Sequence, residues 1–294
     1  MLICRILSNF ASKRNYIRPN EKMKANRILF ITQEITPFVP ESTIANIGRN
    51  LPQAIQESGR EVRIFTPKWG FINIRRHQLH EVIRLSGMNL IIDETDHPLI
   101  IRVASLQQAS RIQVYFIDND DYFQDRMMTR DEKGEEYPDN DERTIFFARG
   151  VLETVKKQCW SPDVIHCHGW ITALVPLYIK SSYSEEPWFR DSKIVFSLYD
   201  KEFNFEQPLP EGYLQKILHK DMSIDLLDNV GVPTTYEELA KLAIRYSDGI
   251  IENGDDIPSS LLEYARSLGK PILSKQAPED YKLACNEFYE TVAQ

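Results

Sequence analysis

"RILFITQEITPFVPESTIANIGRNLPQAIQESGREVRIFT" (residues 27–66) decides the fold. Its first residues, Arg27 to Ile31, form an apolar run typical of a buried strand. A turn-compatible stretch, TQEITPFVPE, follows. Ile44, Ile47, Leu51 and Ile55 then recur at helical spacing. Ser42 or Thr43 is placed to cap that helix, and Gly59 to stop it. Glu61 to Thr66 reads as the next strand. Strand, helix and strand at this length make a parallel crossover unit, the seed of an α/β sheet.

Outward from this unit the rhythm continues. Leu99–Ala104 and Arg111–Asp118 are strand-like and close enough to form a hairpin at the sheet margin. Asp118 to Asn140 is polar and acidic and reads as a surface loop with one helical turn. Ile145, Phe146, Val151, Leu152 and Val155 mark a helix. A strand ending in Cys167 follows, then a helix from Trp170 to Lys180 and a strand from Lys193 to Tyr199. Tyr236, Leu239, Leu242, Ala243 and Tyr246 mark another helix, and Asp248–Glu252 a short strand. Pro258 suits the first turn of a helix that Gly269 ends. Pro271–Leu273 is a last strand, and PEDYKLACNEFYETV a closing helix. The expectation is a single Rossmann-like α/β domain over residues 26–294, with a mainly parallel sheet and helices on both faces. Residues 1–25 read as a disordered extension, or as a start assigned ahead of Met23.

The 294-residue length suits one large domain or two small ones. A net charge of -8 disfavours a nucleic-acid backbone as partner. Cys4, Cys159, Cys167 and Cys285 show no short paired spacing. They read as free thiols in a reducing, cytoplasmic compartment. No segment of the sequence is long and apolar enough to cross a membrane, so no membrane partner is expected.

The densest chemistry lies in "DVIHCHGWITALVPLYIK" (residues 163–180), where His166, Cys167 and His168 alternate at the carboxyl end of a strand. Open parallel sheets bind ligands at such ends. A metal site would need His166 and His168 on one face plus distant ligands that no cysteine or carboxylate spacing provides, so none is expected. A Cys–His nucleophile pair is disfavoured because adjacent strand residues face apart. The plainer reading makes His166 a satisfied core histidine and Cys167 a small hydrophobe. His168 and Gly169, at the strand-to-helix turn, are then the pocket residues. No cofactor is implied.

Several blocks, in order, resemble the amino-terminal domain of bacterial glycogen and starch synthases. They are EITPF (Glu34–Phe38), ANIGRNLPQAIQESGREVRIFTPKWG (Ala45–Gly70), YPDNDERTIFFARGVLETV (Tyr137–Val155), the histidine–tryptophan block above and YSDGII (Tyr246–Ile251). The resemblance covers about residues 27–251, one half of a two-domain GT-B glycosyltransferase, so the chain looks like a truncated form. It implies the family reaction, transfer of glucose from ADP-glucose to an α-1,4-glucan with retention. It also implies Asp139, Asn140, Arg143, His168 and Trp170 on the substrate side, and His168 and Tyr199 as the family-matched catalytic candidates.

Departures from the family pattern shape the expectation. The opening lysine, threonine and two glycines, which approach the donor phosphates in the family, are Pro40, Glu41, Ser42 and Thr43 here. Proline brings neither charge nor backbone donor, and Glu41 adds a negative charge. The aspartate before the tryptophan is Gly169, and the histidine after it Ile171. The family's catalytic histidine, at the next strand end, is Tyr199, with Asp200 in place of asparagine. A tyrosine can donate a hydrogen bond but is a poor substitute for histidine in proton chemistry. Nothing after Ile251 resembles the donor-binding half. Three readings follow. One is a glucosyltransferase subunit whose donor domain comes from a partner protein, so that ADP-glucose binds weakly or only with that partner. Another is a non-catalytic glucan-binding or regulatory relative, with Trp69, Tyr122, Phe123 and Trp170 as exposed aromatics for sugar stacking. The third is a Rossmann-like domain with an unrelated small ligand.

Overall fold

Strands buried along nearly their whole length lie at the middle of a sheet, and strands with exposed alternate residues at its edge. The computed structural model, which describes residues 24–106, 112–201, 204–210, 212–218, 222–227 and 233–294, follows this rule. Its strands are β1 (Arg27–Thr32), β2 (Glu61–Pro67), β3 (His80–Glu81), β4 (Met88–Ile92), β5 (Thr95–Leu106), β6 (Ile112–Asp118), β7 (Val164–His168), β8 (Lys193–Leu198), β9 (Gly249–Glu252) and β10 (Ile272–Leu273). The order across the sheet is β10-β9-β8-β7-β1-β2-β6-β5-β3, with β4 hydrogen-bonded to β5. From β10 to β6 every pair is parallel. β5 runs antiparallel to β6, with Ile100 opposite Asp118, and the short β3 and β4 pair antiparallel to β5. The hairpin expected at the margin is therefore present, although the loop joining its strands, 107–111, lies outside the described residues.

Helices cover both faces. They are α1 (Thr43–Glu57), α2 (Asp120–Phe123), α3 (Asn140–Lys157), α4 (Val175–Lys180), α5 (Tyr213–Ile217), α6 (Tyr236–Tyr246), α7 (Ser259–Ser267) and α8 (Pro278–Val292). α1 packs on β1, β2 and α8, while α3 packs on β6, α4 and α5. Ser42 caps α1 as its spacing implied, its Oγ accepting from Ala45 N at 3.0 Å. On α8 the buried residues Cys285, Phe288, Tyr289 and Val292 form one helical stripe. Arg60, almost fully buried, ties this helix to the start of β1 through Glu290, Asn286 and the carbonyl of Ala25. The sequence-based extension falls on residues 1–25, of which 1–23 lie outside the described residues.

Two expectations need correction. The segment between Asp118 and Asn140 has the one helical turn expected, α2, but it does not lie wholly at the surface. Tyr122 and Phe123 are buried in α2, and Asn119 caps it by accepting from the backbone N–H groups of Asp121 and Tyr122. The helix expected from Trp170 to Lys180 is two pieces, a 3₁₀ turn at Trp170–Thr172 and α4 from Val175. Pro176 has no N–H to bond four residues back, so the α-helix restarts around it.

Candidate functional site

The strand order reverses between β1 and β7, and the crevice of an open α/β sheet lies at the carboxyl ends of such a pair. Thr32 sits opposite His168, and Gln33 N donates to the His168 carbonyl at 3.0 Å. Gln33 and Glu34 thus lie beside His168 and Gly169. Gly169 has φ +87°, and a Cβ placed on it would come within 2.7 Å of the Gln33 side chain. The aspartate expected by resemblance at this position would meet both a left-handed backbone and a clash.

The three alternating residues separate by face as a strand requires. His166 is enclosed, with Nδ1 2.7 Å from Tyr289 Oη and Nε2 2.7 Å from Ser197 Oγ. It is a satisfied core histidine. Cys167 is buried on the opposite face, and burial pushes its thiol far up, away from nucleophile chemistry. His168 is also enclosed. Its Nδ1 lies 2.8 Å from Tyr199 Oη, and its Nε2 is buried without a partner. Burial lowers the His168 pKa to about 3, and burial together with the neighbouring His168 drives that of His166 well down, so both rings are neutral at pH 7. Burial likewise holds the Tyr199 hydroxyl well above its ordinary value, so it is protonated and able to donate. A neutral imidazole against a protonated phenol is a hydrogen-bonded pair with little capacity to move a proton near pH 7.

The other substrate-side candidates come together, but as a clasp. Arg143 is fully buried. One terminal nitrogen donates to Met128 O at 2.6 Å and Asn140 Oδ1 at 2.8 Å, the other to Met127 O at 2.8 Å. Its guanidinium lies 4.9 Å from the Tyr137 ring and 5.2 Å from the Trp69 ring. Asn140 donates to Thr129 O at 3.0 Å, Asp139 pairs with Arg126, and Trp170 Nε1 donates to Thr129 Oγ1 at 3.2 Å. Asn140, Arg143 and Trp170 therefore face inward and hold the segment 127–129. The four aromatics expected to be exposed for sugar stacking are core residues instead. Trp69, Tyr122, Phe123 and Trp170 are each at most 2% exposed, because their rings pack beneath this segment and α3.

What the segment presents outward is one wall of a cavity of about 360 Å³, lined by Gln33, Glu34, Pro40, Glu41, Ser42 and Met127–Arg130. Glu34 is the feature that sequence reading missed, and its signal is a carboxylate just past a buried strand at the crevice. It is 3% exposed. One carboxylate oxygen accepts from Ser42 Oγ, the other from Gln33 Nε2 at 3.0 Å. Burial pushes this carboxyl upward and the two hydrogen bonds draw it back. Gln33 Oε1 is buried and unpartnered. A second cavity of about 370 Å³ lies along α1, between Thr43, Asn46 and Asn50 on one side and Asp200, Asn253 and Asp255 on the other. A larger one, about 930 Å³, lies at the sheet margin around Phe38, Arg49, His77 and Ala104, away from the strand ends. Among the described residues no group of three His, Cys, Asp or Glu side chains is arranged to hold a metal ion, and no helix is long and apolar enough to cross a membrane.

Residues 27–253 match a family described as the starch synthase catalytic domain. The chain is 37% identical over 239 residues to the glycogen synthase of Chlorobium limicola, a match spanning 78% of this chain and 48% of that protein. It is 33% identical over 264 residues to the glycogen synthase of Chlorobium luteolum, spanning 86% and 50%. The catalytic domain of starch synthase IV from Arabidopsis thaliana, solved bound to ADP and acarbose, shares the fold with a TM-score of 0.62. Its sequence identity is 18%, and the match covers 77% of this chain and 44% of that one. The chain spans about half the length of the curated relatives it matches.

Proposed function

The chain belongs to the starch synthase catalytic domain family, and from that premise we propose that it is a glycogen/starch synthase-like half-site that holds an α-glucan without transferring glucose by itself. The observation that carries this reading is the pair Tyr199–His168. The resemblance expects a histidine where Tyr199 stands, and the phenol is locked onto a neutral, enclosed imidazole. A retaining transfer must stabilise a developing positive sugar and a departing diphosphate. Near the strand ends this chain offers a proline without an N–H at residue 40 and a carboxylate at Glu41, where the resemblance expects a lysine and a threonine. Weak glucan contact rests on the rim side chains, Thr129, Asn46, Asn50 and Asn253, which can pair with sugar hydroxyls. A donor-type domain supplied by a partner protein would complete a cleft, which is the split-enzyme form of the same reading. Free thiols at Cys159, Cys167 and Cys285 support a cytoplasmic setting.

The test sets transfer of radiolabelled glucose from ADP-glucose into glycogen beside co-sedimentation with glycogen. Binding without incorporation is the expected result. Robust incorporation that is lost in Tyr199→Phe or His168→Gln overturns the reading.

A further inference from the structure

We propose that the slot between α1 and α8 is a carbohydrate site for a short stretch of α-glucan, with the Tyr281 ring as its platform and Asn46, Asn50 and Asn253 as its hydrogen-bonding wall. This deepens the glucan reading above and rests on it for the identity of the sugar.

The slot is the cavity of about 370 Å³ at the carboxyl ends of β8, β9 and β10. That volume lies at the lower end of small-molecule sites, about 300–1,000 Å³. Six of its thirteen lining residues, among them Lys275, Tyr281 and Lys282, fall beyond residues 27–253, the span of the family match. The family pattern alone does not build this site, and the closing helix completes it.

Helical spacing makes the two long walls. Thr43, Asn46, Ile47, Asn50 and Leu51 share one face of α1, and Pro278, Tyr281 and Lys282 share one face of α8. Asp200 and Asn253, just past β8 and β9, close the end. This end is held in place. Asn253 is 6% exposed and donates through Nδ2 to Ser197 Oγ at 2.9 Å. Asp200 Oδ1 accepts from Asp256 N at 2.6 Å, and a Cβ on Gly254 would stand 2.2 Å from that oxygen, so the close approach requires glycine.

The chemistry suits a neutral sugar, which has an apolar C–H face and a rim of hydroxyls that both donate and accept. Ile47, Leu51 and the Tyr281 ring provide the apolar surface. Tyr281 is partly exposed while its hydroxyl is sealed, so the ring and not Oη meets the cavity. Each asparagine amide carries both donors and an acceptor. Among the described residues the side chains of Asn46 and Asn50 have no hydrogen-bond partner, so both stay available to a ligand. The carboxylates of Asp200 and Asp255 balance the ammonium groups of Lys275 and Lys282, and Lys275 is already paired with Asp255. An anionic ligand gains little from a lining without net charge.

The test is titration of the full chain with maltotriose, followed through the side-chain amide resonances of its asparagines. The signals of Asn46, Asn50 and Asn253 should shift, while that of Asn140, beneath the segment 127–129, should not. The double variant Asn46→Ala/Asn50→Ala, an exposed pair whose removal leaves the packing alone, should bind maltotriose about tenfold more weakly. Tyr281→Leu should weaken binding about fivefold or more, and Tyr281→Phe, which keeps the ring, should bind as the wild type does. Co-sedimentation with glycogen separates this proposal from the reading it rests on. Unmoved Asn46 and Asn50 signals, or a double variant that binds like wild type, overturn the slot as the site, and the glucan reading stands if glycogen still co-sediments. Absence of both maltotriose and glycogen binding in the wild type overturns both. Displacement of bound maltotriose by ADP overturns the assignment to a neutral ligand.

Discussion

Tyr199 Oη lies 2.8 Å from His168 Nδ1, with both rings sealed from solvent, so the ends of β7 and β8 are joined by a side-chain bond beside the crevice. The join follows from register. His168 pairs with Ser197, and Tyr199, two residues on, leans over the same face. Below it His166 bonds to Ser197 and to Tyr289 of α8, so one polar column runs from the crevice into the core.

Removing the phenol oxygen should therefore destabilise the fold. Tyr199→Phe leaves both ring nitrogens of His168 without partners, since Nε2 already has none. An orphaned buried group costs about 1–3 kcal/mol. The urea midpoint of Tyr199→Phe should fall accordingly, with an unchanged slope. A midpoint equal to wild type would show that the bond contributes nothing.

Acid should act on the same column. His168 has a folded pKa near 3, and that of His166 lies well below the ordinary 6.5. The unfolded chain binds more protons than the folded one between these values. Stability is thus full above pH 6.5 and is lost as pH falls, by about 1.4 kcal/mol per pH unit for each histidine. The buried carboxyls of Glu34, Asp118 and Asp141, raised by burial, act with the opposite sign. A difference measurement removes them. The stability gap between wild type and His168→Gln in urea should shrink by about 1.4 kcal/mol between pH 7.5 and 5.5. A gap that does not change with pH would mean that His168 titrates normally in the folded protein.

Much of the framework was legible because buried parallel strands and capped helices have local signatures. Arg27–Ile31, Ser42 and the stripe on α1 are examples, and so are Pro258 and Gly269 around α7. β3 and β4 were not legible. One is two exposed residues, and the other gains its pairing only from β5. Pro176 did signal the break before α4, but the apolar run from Trp170 masked it. At the site, a strand's two-residue period separates His166 and His168 from Cys167 without a structure. Exposure has no such local code. Trp69, Tyr122, Phe123 and Trp170 sit in polar or mixed sequence, yet long-range packing buries all four. Glu34 was passed over because a carboxylate beside a threonine and a glutamine reads as loop, and only the turn of α1 toward it closes the bond to Ser42.

Arg143 offers the sharpest test of whether the clasp shapes the cavity wall. Its guanidinium serves two carbonyls and one amide oxygen from a fully buried position between the rings of Trp69 and Tyr137. Burial lowers its pKa to about 10, so it remains charged at neutral pH. Arg143→Met keeps part of the packing but leaves Met127 O and Met128 O without these donors, a loss of about 3 kcal/mol or more. Arg143→Lys can reach one of the carbonyls but not the fork of both, so an intermediate loss is expected. Urea denaturation orders the three proteins. Hydrogen exchange then separates local from global effects: amides of residues 127–130 should exchange faster in Arg143→Lys than in wild type under native conditions, while those of β1 and β7 keep their protection. Uniform acceleration throughout the sheet would assign Arg143 to general stability. Selective acceleration at 127–130 would show that a residue enclosed in the core sets the outer wall of the strand-end cavity.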